Sequence, residues 1–160
     1  MKRLLILGLS LLMLLSACGK DPETADLENY VQGSLFNIRT NLRAANSQYE
    51  LSRSKNELAR ADIIRTKVLY QYERYLQGLK DIKTDTAFVE RLKETGVERA
   101  TEAVKALDDY RKAMLKRDSH LTMRARSDAE NAMNKVEKWQ RDVWETARAK
   151  NIEVPADNVR

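Results

Sequence analysis

The chain has 160 residues, a formal net charge of +5 and one cysteine. A single cysteine excludes an internal disulfide and a cysteine-based zinc site. A single histidine, His120, lacks the partners that a histidine metal site or a catalytic triad needs. Acidic and basic residues are interleaved through 33% of the sequence, a balance that suits a water-facing domain and calls for no nucleic-acid partner.

The first predicted element is a leader. Lys2 and Arg3 precede an almost wholly apolar run from Leu4 to Leu15. As a helix this run reaches about 18 Å, short of the roughly 30 Å hydrocarbon core of a bilayer, so it reads as a secretory signal and not a span. It ends in Leu15-Ser16-Ala17-Cys18, small residues leading into the only cysteine. These four residues resemble the lipobox of bacterial lipoproteins. The resemblance implies that residues 1–17 are removed, that Cys18 is lipidated, and that residues 18–23 form the anchor and a short tether. Loss of Lys2 and Arg3 then leaves a net charge of +3. Two or more acyl chains hold a protein firmly to a bilayer where one does not. A cell-envelope location follows from the resemblance. Gly19 stands where an Asp would signal retention at the inner membrane, so the outer membrane facing the periplasm is expected if the source is Gram-negative.

The rest of the chain is predicted to be helical. Pro22 and Pro155 bracket a proline-free stretch rich in Ala, Leu, Glu, Lys and Arg. Apolar residues recur in steps of three and four at Val31, Leu35, Ile38, Leu42, Ala45 and Tyr49. A second stripe runs Leu58, Ala61, Ile64, Val68, Tyr72, Tyr75 and Leu79, out of phase with the first. The polar residues 52–56 lie between them, and Ser54 with Glu57 matches capping-box spacing. Residues 83–86 interrupt the pattern with side-chain oxygens suited to an N-cap. The third stripe is Val89, Leu92, Gly96, Ala100, Ala103, Leu107, Tyr110 and Met114. Beyond a polar junction at 116–120, where Asp118 or Ser119 could cap, the fourth is Leu121, Ala125, Ala129, Ala132, Val136, Trp139, Val143 and Ala147. Residues 24–150 form the predicted domain, and 151–160 a flexible tail.

If the 83–86 turn is the apex of an antiparallel pair, Leu79 meets Val89, Tyr72 meets Gly96, Val68 meets Ala100 and Arg74 meets Glu94. Large residues then oppose small ones, as closely spaced helices require. Four segments of about 30 residues predict an all-α antiparallel four-helix bundle. The alternative is an elongated two-helix coiled-coil hairpin.

Chemistry-bearing patterns are sparse. Arg117 occupies the place, three before His120, that a di-iron Glu-x-x-His pair would need, and no glycine-rich phosphate loop occurs. Asp108 and Asp109 are adjacent and point apart on a helix. No catalytic residue, metal or cofactor is expected, and the chain is not expected to be an enzyme. Glu90, Glu94, Glu98 and Glu102 form an acidic ridge expected to pair with Arg74 and Lys67. Tyr72, Tyr75 and Trp139 are expected in the core, with Tyr70 and Trp144 beside it. The thin, alanine-rich face of the fourth helix would permit self-association.

The candidate binding surface is the third junction. Residues 111–126 hold Arg111, Lys112, Lys116, Arg117, Arg124 and Arg126 against Asp118 alone. In a bundle tethered at its start, this junction and the one near residue 53 point away from the membrane. The expected role is a non-enzymatic helical adaptor or scaffold that docks an envelope protein or an anionic cell-wall partner. The alternative is a bundle that holds a small ligand or cation.

Overall fold

The computed structural model of the chain describes residues 20–155, so the leader, Cys18, Gly19 and residues 156–160 lie outside the described residues. Four long helices account for the described part, with no strand among those residues. Helix α1 runs through Pro22–Glu28, a π-helical segment Asn29–Leu35, and Phe36–Ser52. Helix α2 runs through Glu57–Ile63, a second π segment Ile64–Val68, and Leu69–Asp81. Helices α3 (Ala87–Leu115) and α4 (Ser119–Ala149) are uninterrupted.

Each start is set by a side-chain oxygen. Asp21 caps α1, with Pro22 in the first turn where its missing N–H costs nothing. Asn56 caps α2 through Ala59 N–H at 3.0 Å. Thr86 caps α3 and Asp118 caps α4. The cap of α2 is therefore Asn56, and not the Ser54–Glu57 box; the Ser54 hydroxyl bonds back to Leu51 O in the preceding helix end.

Across the π segments Leu27, Val31 and Leu35, and again Ile64, Val68 and Tyr72, follow one another in steps of four. All six are buried.

The breaks at 53–56, 82–86 and 116–118 fold the chain into the bundle, not the elongated hairpin. α2 packs on α1 and α3, and α3 and α4 make the most extensive contact. That closeness comes from small residues: Ala100 and Ala103 of α3 and Ala125, Ala129 and Ala132 of α4 are all buried. The alanine face offered for self-association is thus used within the chain. α1 and α4 close the bundle through Asn46 to Glu137 (2.7 Å) and the Tyr49 hydroxyl to Glu130 (3.2 Å).

Gly96 faces α4, not Tyr72. A Cβ there would lie 2.8 Å from Trp139 Cε2 and nearer still to two other ring atoms. The indole N–H donates to Leu92 O at 3.0 Å, which fixes the ring over the glycine. Tyr72 turns to α1, where its hydroxyl donates to Asn46 Oδ1 at 3.1 Å. The expected opposition of Tyr72 and Gly96 is corrected accordingly.

The end where the chain enters is stitched by Asp26. Its buried carboxylate accepts from Asp85 N–H (3.1 Å), Thr86 N–H (2.8 Å) and the Thr86 hydroxyl (2.7 Å). The entry of α1 and the 82–86 turn therefore share one end. Residues 151–155, the described part of the expected tail, join them there through Ile152 and Glu153. Asn151 closes α4 in the left-handed region, and Ile152 N–H returns to Ala147 O at 3.0 Å with its side chain buried. Gln32 donates to Glu153 O at 2.7 Å.

Candidate functional site: the basic end of the bundle

The opposite end is built from the last turn of α1, the first of α2, the last of α3 and the first turns of α4. Arg60 holds it together. Its guanidinium donates to the carbonyls of Ser52 (3.2 Å), Arg53 (2.6 Å) and Lys55 (3.0 Å), and to the Tyr110 hydroxyl at 3.0 Å. At the other junction α3 ends on Lys116, and Arg117 takes φ 57°, the left-handed conformation usually given to glycine.

The six predicted binding cations all belong to this end, but they divide into two groups. Asp108 accepts from Arg111 at 2.7 Å and Lys112 at 2.6 Å, and Lys112 first, then Arg111, holds its carboxyl below the usual range. Asp109 pairs instead with Lys105 at 2.6 Å, so the adjacent aspartates do diverge. Glu130 accepts from Arg126 at 2.9 Å. Partial burial acts to raise the Glu130 carboxyl, yet the Arg126 bond and the Tyr49 hydroxyl keep it below its ordinary value. Lys116, Arg117 and Arg124 are exposed and carry no ion pair among the described residues, as does Lys55 of the first junction. The Asp118 carboxylate caps α4, accepting from Leu121 N–H at 3.0 Å, and forms no ion pair with these cations.

Apolar side chains stand among these cations. Of six large hydrophobic residues that are exposed among the described residues, five lie at this end: Leu51, Leu58, Leu115, Leu121 and Met123. Met123 is 68% exposed and Leu58 58%. Leu58 and Leu121 were expected in the core stripes. They sit in the first turns of α2 and α4, and Thr122 is buried in place of Leu121. The sequence signal for the other three is that each falls in or near a terminal turn and off its helix's stripe.

Other predicted features are placed as follows. His120 is exposed in the first turn of α4. The acidic ridge is served mainly by neighbours other than Arg74 and Lys67: Glu90 pairs with Lys93 (2.8 Å) and the Thr84 hydroxyl, and Glu102 with Arg99 and with Lys135 of α4, each at 3.2 Å. Arg74 lies 5.7 Å from the centre of the Tyr70 ring, and Tyr70 is the sixth exposed hydrophobic residue. Tyr72, Tyr75 and Trp139 are buried as expected, and Trp144 is buried too, with the Arg39 guanidinium 6.0 Å from its ring.

A cleft of about 260 Å³ lies between α1 and α4, lined by Asn46, Tyr49, Glu50, Glu130, Asn134 and Glu137 among others. Its carboxylates are occupied: Glu50 by Arg53, Glu130 by Arg126 and Tyr49, Glu137 by Asn46. Among the described residues no cluster of His, Cys, Asp and Glu is arranged to hold a metal, and no helix is long and apolar enough to cross a membrane. What the basic end offers is unpaired positive charge beside exposed aliphatic surface. Comparison with protein families, curated proteins and solved structures finds no match, and the functional reading rests on the residues alone.

Proposed function

We propose that the chain is a non-enzymatic lipoprotein of the bacterial cell envelope, anchored through lipidated Cys18 and acting as a helical adaptor whose free end engages another envelope component. The observation that carries this reading is polarity. The lipobox residues Leu15-Ser16-Ala17-Cys18 stand immediately before α1, which begins at Pro22. The basic end, with Lys116, Arg117 and Arg124, lies a bundle's length from that entry. A tether of a few residues holds the entry at the bilayer and presents the far end to a partner. The rival role, a bundle that holds a small ligand or cation, draws only on the α1–α4 cleft, whose carboxylates are already paired.

Two measurements test the reading. Metabolic labelling with a fatty acid should mark the protein at Cys18, and Cys18→Ala should abolish the label and release the domain from the membrane fraction. Photo-crosslinking in cells from position 120, with position 84 as control, should give a discrete adduct at 120 alone. Absence of label overturns the anchor, and adducts at 84 alone place the contact at the wrong end.

A further inference from the structure

The far end carries a combination that narrows its partner. Residues 50–60 and 111–126 together hold nine Lys and Arg against three Asp and Glu, more net charge than the whole chain. The opposite end is acidic: residues 20–28, 80–90 and 146–155 hold five Lys and Arg against eight Asp and Glu. The bundle is thus electrically polar along its length, and a negative surface turns the basic end toward itself.

Shape and apolar content discriminate among negative surfaces. Leu51, Leu58, Leu115, Leu121 and Met123 come from four different helix ends and follow no single helical stripe. The clefts described run along the sides of the bundle: one is lined by Asn46 and Glu137, a second by Thr95 and Trp139, a third by Glu102 and Asp128. A helix-binding groove would instead align its apolar residues. An anionic polysaccharide has no apolar layer to cover five aliphatic side chains. A second copy, end to end, would set two basic ends against each other. A bilayer containing anionic phospholipid meets both requirements, with phosphates at the level of the cations and hydrocarbon just beneath. The exposed acids of this end, Glu50, Glu57 and Asp118, are outnumbered by its nine cations and do not reverse the sign.

We propose that this end is a docking tip for an anionic phospholipid bilayer. Leu58, Leu121 and Met123, with Leu51 and Leu115, enter the headgroup region, and Lys55, Lys116, Arg117 and Arg124 meet the phosphates. This deepens the adaptor reading by naming the partner. The docking itself does not require a lipid on Cys18. With the anchor in place, the bundle ties two bilayer surfaces about 45 Å apart, the length of the 31-residue α4.

The test uses the chain coupled through Cys18, its only cysteine, to maleimide-bearing phosphatidylcholine vesicles. A second, dye-labelled vesicle population is then offered, with or without phosphatidylglycerol. Salt-sensitive capture of the phosphatidylglycerol vesicles, and none of pure phosphatidylcholine, is expected. Each surface cation contributes roughly fivefold to partitioning, so K116E/R117E/R124E should weaken capture at least about a hundredfold. L58S/M123S should weaken it about tenfold without changing salt sensitivity. Circular dichroism should show both variants folded, since the residues changed are exposed. No capture, or capture indifferent to both variants, overturns the proposal. So does a protein adduct, in place of a lipid adduct, from a photo-crosslinker at position 123 in cells. That last result would leave the adaptor reading intact, whereas failure of Cys18 labelling would remove the anchor and leave the docking tip standing.

Discussion

The indole of Trp139 occupies the space that a side chain on Gly96 would fill, and its N–H is tied to Leu92 one turn away. The glycine is in a helix interior, where it costs about 1 kcal/mol relative to alanine, and this contact is what the cost secures. Gly96→Ala would normally stiffen a helix. Here it should destabilise the domain by about 2 kcal/mol, because the ring is hydrogen-bonded and cannot slide aside. Chemical denaturation reads the sign directly, and a gain in stability would show the ring to be free.

Asp26 ties α1 to the turn that precedes α3. Removing its carboxylate strands the N–H groups of Asp85 and Thr86 at the start of α3. Asp26→Ala should cost about 2–3 kcal/mol, read as a lower thermal midpoint. A midpoint unchanged within error would mean that water replaces the carboxylate without loss.

Arg117 carries strain that a sequence change can release. A non-glycine residue at φ 57° is disfavoured by about 1 kcal/mol or more. Arg117→Gly should raise stability by about 1 kcal/mol, measured by denaturant midpoint, while removing one cation from the tip. Loss of stability in this variant would assign the arginine side chain a packing role that its exposure does not suggest.

The buried tyrosines set an alkaline limit. Burial pushes the hydroxyls of Tyr30, Tyr49, Tyr72 and Tyr75 well above the ordinary tyrosine value of about 10. A raised native value means that the folded state holds protons the unfolded state gives up. The associated stability is complete below pH 10 or so and falls as pH rises beyond it. Tyrosinate absorbance of these residues should therefore appear together with loss of far-ultraviolet helical signal. Early ionisation of several tyrosines in a still-helical protein would contradict the burial.

Much of the fold was legible because α-helical periodicity is local. Each of the four stripes is largely buried, and the three breaks fall where polar residues interrupt them. What escaped is what depends on a third helix. Pairing about the 83–86 turn treats α2 and α3 as an isolated hairpin, and α4 claims Gly96 instead. The basic cluster is legible as a segment, but the carboxylates that pair with half of it lie elsewhere in the sequence. Asp108, three and four residues before Arg111 and Lys112, and Glu130, four after Arg126, lie just outside the segment and within reach on the helix. The aliphatic half of the tip was hidden for a different reason. Leu58 and Leu121 continue their stripes in sequence, yet each falls in the first turn of its helix and is exposed.

The clasp at Asp26 has a mechanical meaning for a chain tethered at its start. Tension on residue 20 reaches α1 within one turn of the bond to Thr86, so it enters α3 at the same moment. Load shared between two helices must shear their packing together instead of peeling one helix away turn by turn. Pulling single molecules from residue 20 should show one cooperative rip, and Asp26→Ala should lower its force or split it in two. The carboxylate that holds the turn before α3 is, in this geometry, the rivet that lets the tether bear weight.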